Sequence, residues 1–157
     1  MDHVESATEQ ELVTALAAFP KELQRLLDGY AASALRRPAS DGGWSVGENL
    51  CHLRDWERVF VDRTRAIVDQ VRPKLPAYDD ALWEIERGYR EQDPAAALRQ
   101  FIDLRQEMVA TLSELDGDGW QREGIHALHG LISIRWIAGY LATHDREHLS
   151  QIGDALL

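Results

Sequence analysis

Apolar residues recur at helical spacing in four long segments of the chain, and no segment has the pattern of a strong strand. The first segment runs from about Ala7 to Tyr30, and its leucines and Phe19 fall on one helical face. Pro20 interrupts that face, so we expect the helix to kink there or to stop and restart. Residues 37–43 are rich in Pro, Ser, Asp and Gly, which predicts a loop after the first helix.

The second helix has a well-defined predicted start. Ser45 and Glu48 form a capping-box pattern, in which each side chain pairs a backbone N–H that the first helical turn leaves free. The periodicity then continues to about Val71, before Pro73. His52 lies toward one edge of the apolar arc of this helix, so its imidazole is predicted to lie on the buried side.

The connection after the second helix is long and contains a short predicted helix. Prolines at positions 73 and 76 break the chain, and residues 79–91 predict a short acidic helix. Asp93 followed by Pro94 is typical of a helix start, because proline at the first helical position presets the backbone φ. A third long helix follows to about Leu115, where a run of Asp and Gly ends it.

The final part of the chain holds a loop and the fourth long helix. Residues 120–130 predict a loop that carries His126 and His129, and the helix spans about residues 132–154. Four helices of this length predict an all-α fold, an antiparallel four-helix bundle with a short extra helix in a long connection. At 157 residues the chain suits one domain, so we assign residues 1–157 to a single domain.

The fourth helix carries two histidines within its apolar stripe. His144 and His148 are four residues apart, so their side chains project to the same side about 6 Å from each other. Two imidazole nitrogens at that spacing can reach one metal ion at about 2.0–2.1 Å. A third nitrogen must come from another helix, and His52 is the candidate on a buried arc. The stripe consists of Ile134, Ile137, Leu141, His144, His148 and Ile152.

This histidine pattern leaves several interpretations open. Three neutral imidazoles suit zinc, nickel, iron or copper, and three protein ligands leave one coordination position free, as in catalytic sites. His126 or His129 is an alternative third ligand or a fourth one. Without a metal, His144 and His148 would hydrogen-bond to carboxylates of the bundle. Residues 144–148 also match the inverted zinc-protease motif H-x-x-E-H, but that motif needs a further acidic ligand well downstream, so we do not expect protease activity.

The neighbours of these histidines receive structural interpretations. Asp145 and Glu147 are predicted to point away from the stripe, either at the surface or supporting a ligand. Cys51 lies about 100° around the helix from His52, so we expect it to pack as a small apolar side chain. Trp44 is interpreted either as a hydrophobic staple at the helix start or as the wall of a pocket.

Composition narrows the expected partners and compartment. The net charge of −10 repels phosphate backbones and anionic lipids, so neither nucleic acid nor a membrane is an expected partner. The chain has one cysteine, which excludes an internal disulfide and predicts a cytoplasmic protein. Residues 1–10 are acidic and predict no signal peptide, and His3 lies where we expect the chain end to fray. No window reaches the roughly 18 apolar residues of a membrane span.

Three local sequences carry a family likeness: Gly43-Trp44-Ser45-Val46 followed by His52-Leu53, then Gly130-Leu131-Ile132-Ser133, then the run from His144 to Ile152. Together they resemble the DinB-like superfamily. The likeness extends over nearly the whole chain and implies a four-helix bundle with a three-histidine metal site near one end. Carried over residue by residue, the implied ligands are His52, His144 and His148, and all three are present here. Members often form homodimers, and those with known activities resemble metal-dependent transferases or isomerases that use thiols such as mycothiol or bacillithiol.

Two function classes follow from the pattern and the resemblance together. The first hypothesis is a metal-dependent thiol S-transferase or related enzyme, a homodimer in which a divalent metal binds a low-molecular-weight thiol and presents it to a small-molecule substrate. The alternative is a non-catalytic metal- or ligand-binding stress-response bundle, in which His126 or His129 blocks the free position. A third possibility is a bundle that binds no metal, where His144 has only a packing role.

Overall fold

The computed structural model describes residues 2–157, with side chains from Val4 onward, so the side chain of His3 lies outside the described residues. Four helices of 19 to 24 residues form the body of the molecule. Within the described range no helix is long and apolar enough to cross a membrane. In chain order the elements are α1 (Asp2–Glu5), α2 (Glu9–Leu27), α3 (Ala32–Arg36), α4 (Val46–Asp69), β1 (Lys74–Leu75), α5 (Trp83–Glu86), a 3-10 helix (Tyr89–Glu91), α6 (Pro94–Ser113), α7 (Gly117–Trp120), β2 (Glu123–His126), β3 (Gly130–Ser133) and α8 (Ile134–Ala155).

The long helices α2, α4, α6 and α8 form the predicted four-helix bundle, which is thereby confirmed. Helices α2 and α4 each pack against both α6 and α8. Helix α8 runs antiparallel to α4, because the ring of His52 lies against that of His148 while Phe60, two turns later, lies against Tyr140. Two facing helices therefore present their histidines at the same level of the bundle.

Helices α4 and α6 run in the same direction, so the predicted antiparallel arrangement does not extend to this pair. Arg54 donates a hydrogen bond to Gln100, and the next turn brings Glu57 against Arg105. Two consecutive helices can be parallel only if the chain returns along the bundle between them, and residues 70–93 make that return. The predicted acidic helix over 79–91 lies in this stretch but is divided, because Gly88 has a left-handed φ of 61° that ends α5.

Helix α2 continues through Pro20, so the predicted alternative of a stop and restart at that residue is wrong. Proline has no N–H and would leave the carbonyl four residues earlier, that of Leu16, without its helical partner. The guanidinium of Arg105 on α6 donates to the Leu16 carbonyl at 3.1 Å instead. The lost backbone hydrogen bond is replaced from another helix, which removes one reason for the helix to end there.

The segment predicted as a loop over residues 120–130 contains strand β2 and leads into β3. Strand β2 pairs antiparallel with β3 and parallel with β1. At Gly124 an added Cβ would come within 2.8 Å of Leu75 Cδ1, so only glycine permits β2 to pack this closely on β1. This small sheet carries His126, at the end of β2, to the side of α4.

A polar layer crosses the middle of the bundle between two apolar clusters. One cluster holds Leu141 of α8 and Met108 of α6, and the other holds Ile152 of α8 and Phe101 of α6. The charged and imidazole side chains between them are buried. Burying so many polar groups is costly unless each has a partner, so this layer is where chemistry is expected. The polar layer consists of His52, Glu57, Arg105, His144, Asp145 and His148.

Candidate metal centre

The three histidines of the polar layer meet because both of their helices begin at well-defined caps. The Ser45 hydroxyl accepts from the Glu48 N–H, and the Glu48 carboxylate accepts from the Ser45 N–H, which confirms the predicted capping box. Ser133 caps α8 by accepting from the N–H of Trp136. With both starts fixed, His52 lies two turns into α4, opposite His144 of α8.

The distances among the three imidazoles are those that a single metal ion requires. One nitrogen from each of His52, His144 and His148 lies within 4.8 Å of the others. The Nε2 atoms of His52 and His144 are 3.3 Å apart. Two nitrogens bound to a tetrahedral ion at about 2.0–2.1 Å are separated by about 3.3–3.4 Å. The rings therefore already have the spacing of a metal-binding set.

Asn49 fixes the orientation of one of these rings. Its side-chain oxygen accepts a hydrogen bond from Nδ1 of His148 at 2.8 Å, while its Nδ2 donates to the Ser45 carbonyl at 3.0 Å. Because a neutral imidazole carries one proton, a proton on Nδ1 leaves Nε2 of His148 with a free lone pair. A hydrogen-bonded group that orients a ligand and sets its tautomer is typical of protein metal sites.

Replacing Asn49 by alanine is expected to weaken metal binding about tenfold to a hundredfold, because His148 would lose the acceptor that sets its tautomer. Competition with a chromogenic chelator measures the change. The exposed Arg58, on the same helix, supplies a control in Arg58→Ala, which should bind metal as the original chain does. Equal affinity in Asn49→Ala and the original chain would contradict the assigned role.

Burial keeps the three rings neutral, the form in which imidazole binds a metal. The pKa of His144 is lowered to about 2, mainly by burial and then by the nearby rings of His148 and His52. The pKa of His148 is lowered to about 4, again mainly by burial and then by His52. The pKa of His52 is lowered by burial, although the carboxylates of Asp80 and Asp55 oppose the shift. At neutral pH all three side chains therefore offer lone pairs rather than positive charges.

Asp80 lies beside the cluster and was not identified from the sequence. Its Oδ2 is 4.0 Å from Nδ1 of His52, and Nδ1 is buried without any hydrogen-bond partner. The indole N–H of Trp56 donates to the same Oδ2 at 2.7 Å and holds the carboxylate in place. Asp80 is part of the long connection after α4, where neither periodicity nor a motif marks a functional residue.

Aromatic rings form the rest of the surroundings. The ring of Trp44 is centred 5.0 Å from that of His52, and its N–H donates to Glu84, so Trp44 acts as a wall of the site. Tyr140 stacks on His144 at 5.8 Å. Cys51 is fully buried in the apolar core, as predicted, and burial raises the pKa of its thiol to about 11.

The structure does not bring His126 or His129 into the cluster. Among the described residues only the three histidines of α4 and α8 form a group with metal-ligand spacing. Nδ1 of His126 accepts from the N–H groups of Leu128 and His129, and its Nε2 lies 3.4 Å from the guanidinium of Arg63. His129 is exposed in the turn between β2 and β3.

Arg105 joins two carboxylates beneath the histidines. It donates to Glu57 at 2.7 and 3.0 Å and to Asp145 at 2.8 and 2.9 Å. Together with the bond to the Leu16 carbonyl, all five guanidinium N–H groups have acceptors. Asp145 is thus buried rather than at the surface, whereas Glu147 is exposed. Burial raises the pKa of Asp145 to about 6, against the opposing effect of Arg105.

A four-helix bundle with three buried, neutral histidines on facing helices defines a class of candidate metalloproteins. The family model of the DinB superfamily matches residues 15–152. This chain belongs to the DinB superfamily. The match confirms the resemblance that the sequence motifs indicate.

Similar proteins agree with this assignment. The chain is 23% identical over 141 residues to YfiT of Bacillus subtilis, covering 89% of this chain and 79% of that protein. A protein of Oceanobacillus iheyensis is 24% identical over 143 residues, covering 90% and 82%. Both are provisionally named metal-dependent hydrolases. The solved structure of YfiT, described as a four-helix bundle of unusual topology, superimposes with a TM-score of 0.86 at 22% identity and covers 96% of this chain and 89% of that one.

Proposed function

We propose that His52, His144 and His148 bind one divalent transition metal ion and that the site hydrolyses a small-molecule substrate. The separation of 3.3 Å between two Nε2 atoms on facing helices is the observation that carries the proposal. Burial supports it, because a protein gains nothing from three neutral, closely packed imidazoles unless they share a partner. The provisional names of the relatives point in the same direction.

Each residue around the proposed metal has a distinct task. A metal held by three imidazoles supplies a Lewis acid with a free coordination position, which polarises a substrate and acidifies water. Asn49 keeps the tautomer of His148, and Trp56 holds the Asp80 carboxylate beside His52. In this proposal the Asp80 carboxylate, 4.0 Å from Nδ1 of His52, is the general base that accepts a proton from the nucleophile. The rings of Trp44 and Tyr140 limit the access of bulk water.

Asp80→Asn is expected to reduce kcat about 10²- to 10⁴-fold, because asparagine cannot accept a proton as a general base does. The amide oxygen can still accept from Trp56, so the fold and the metal content should not change. Steady-state kinetics together with metal analysis of the same preparations measure both quantities. An unchanged kcat would remove Asp80 from the mechanism, and a parallel loss of metal would show that Asp80 supports the site instead.

Thiol S-transfer, the activity that the family resemblance implies, is a second candidate with the same metal site. The aromatic surroundings of His52 and His144 favour a soft, weakly hydrated nucleophile such as a thiolate. The only cysteine of the chain, Cys51, is buried with a raised pKa, so the thiol would have to come from a small molecule. Here too Asp80 would receive the proton that the thiol releases.

One screen separates these proposals. The metal-loaded chain is incubated with a panel of esters, amides, lactones and alkylating electrophiles, each with and without a low-molecular-weight thiol. Turnover that needs no thiol and is lost in His144→Ala supports hydrolysis. Turnover that requires the thiol supports S-transfer. Tight metal retention without turnover on any compound would favour the non-catalytic metal-binding alternative.

A further inference from the structure

Arg63 is a buried cation without a carboxylate partner. Only 5% of its surface is exposed, and among the described residues no Asp or Glu forms an ion pair with it. One of its terminal nitrogens donates to the Pro76 carbonyl at 2.7 Å, but its Nε is buried without any partner. A guanidinium stays charged and each of its nitrogens is a donor, so the buried Nε–H of Arg63 is left without an acceptor. Arg105, in contrast, has an acceptor for every N–H.

Apart from the Pro76 carbonyl, the polar group that faces Arg63 is a second donor rather than an acceptor. Nδ1 of His126 accepts from two backbone N–H groups, those of Leu128 and His129, at 3.0 and 3.2 Å. The single proton of the neutral ring must therefore be on Nε2. That Nε2–H faces the Arg63 guanidinium at 3.4 Å, and two donors cannot hydrogen-bond to each other. An acceptor placed between the two side chains could therefore receive hydrogen bonds from both Arg63 and His126.

The surroundings restrict the shape of that acceptor. The centre of the Arg63 guanidinium lies 5.3 Å from the ring of Phe60 and 5.8 Å from those of Trp56 and Tyr78. With aromatic rings on several sides, a ligand has to approach the edge of the guanidinium. A planar carboxylate accepts two parallel N–H bonds in that geometry.

Arg63 is on the same side of α4 as the histidine cluster. It follows His52 by eleven residues, which is about three helical turns and a rise of about 16 Å. Helical side chains lean toward the helix N-terminus, so the long Arg63 side chain extends back toward His52. Phe60 and Tyr140 contact each other, and Tyr140 stacks on His144, so a continuous row of aromatic rings joins the two positions.

We propose that Arg63 and His126 bind a carboxylate group of the substrate, which anchors the substrate along this row of aromatic rings with its reactive group at the histidine cluster. The substrate class is therefore a small organic acid with aromatic or other apolar character. The role as a substrate anchor depends on the proposed function, whereas anion binding by Arg63 and His126 does not. With a net charge of −10, the chain would not attract anions without such a local site.

Thermal shift measurements on the metal-free chain test the anion site without reference to catalysis. Sodium benzoate is titrated against sodium chloride at equal ionic strength, with inorganic phosphate as a second probe. A ligand that binds only the folded chain raises Tm in proportion to the logarithm of its concentration above Kd. We expect benzoate to raise Tm and Arg63→Met to weaken benzoate binding about tenfold to a hundredfold.

Two further variants make the result decisive. Arg58→Met removes the same charge from an exposed position of α4 and should keep the benzoate shift, while Arg63→Lys keeps the charge without the planar edge and should bind benzoate more weakly. Without benzoate, Arg63→Met should have an equal or higher Tm, because a buried unpaired charge is removed. A benzoate shift that survives Arg63→Met, a shift with phosphate alone, or no shift at all would overturn the proposal. Metal content is measured separately, so a failed metal site leaves this test valid.

Discussion

Replacing His148 by alanine is expected to reduce bound metal from about one ion per chain to background. Two imidazoles would remain, and the loss of a direct ligand should weaken binding more than the tenfold to hundredfold effect of a supporting group. The measurement is plasma mass spectrometry of protein purified without a histidine tag and reconstituted in turn with zinc, nickel and iron. His52→Ala should behave in the same way, because its Nε2 is 3.3 Å from that of His144.

The matched control for this prediction is His129→Ala. This side chain is exposed on the β2–β3 turn, outside the histidine cluster, so its removal should leave the metal content unchanged. Metal retained in His148→Ala at the level of the control would contradict the ligand set. If the unmodified chain takes up none of the three metals, the cluster is not a metal site under these conditions and the hydrolase proposal fails with it.

The sequence predicted the histidine cluster because helical periodicity is strong in α4 and α8. Once a segment is known to be helical, residues four apart must lie on the same face of the helix. The placement of His144 beside His148 follows from that rule alone. His52 could be proposed as their partner because its own helix has a capping box that sets the phase. The only long-range contact that had to be assumed was the packing of the apolar face of α4 against that of α8.

Arg105 was overlooked although a local signal was present. Phe101 and Met108 face the core from α6. Arg105 lies four residues after Phe101 and three before Met108, so it is on the same buried face of the helix. A charged residue in a buried register predicts a buried partner. The partners themselves, Glu57 and Asp145, come from two other helices, so their identity depends on tertiary packing that periodicity does not contain.

The residues contributed by irregular or very short elements could not be predicted. Strands β2 and β3 have only four residues each, too few for alternation to be distinguished from chance. Asp80 and His126 acquire their neighbours, Trp56 and Arg63, through the path of connections along the bundle. Such contacts follow from the fold as a whole, which explains why the histidine cluster was predicted and its surroundings were not.

Arg105→Ala is expected to lower the free energy of unfolding by about 3–5 kcal/mol, because it leaves the buried carboxylates of Glu57 and Asp145 without their counter-ion. The Leu16 carbonyl would also lose its donor, and Pro20 cannot replace it. Urea denaturation followed by circular dichroism measures the change at constant m-value. This network lies directly beneath His144, so its loss should also loosen the histidine cluster.

The control for this prediction is Arg146→Ala, which removes an arginine with two hydrogen bonds to Glu22 on the exposed face of α8. An exposed ion pair contributes at most about 1 kcal/mol, so the two arginine variants should differ severalfold in their effect. A triple variant, Glu57→Leu with Arg105→Met and Asp145→Leu, should recover most of the stability, since the penalty arises from unpaired buried charge rather than from losing attraction. If the triple variant is as unstable as Arg105→Ala, the hydrogen bonds and ion pairs of Arg105 with Glu57 and Asp145 themselves stabilise the bundle. In that case the polar layer is a structural element of this fold as well as the support of its histidines.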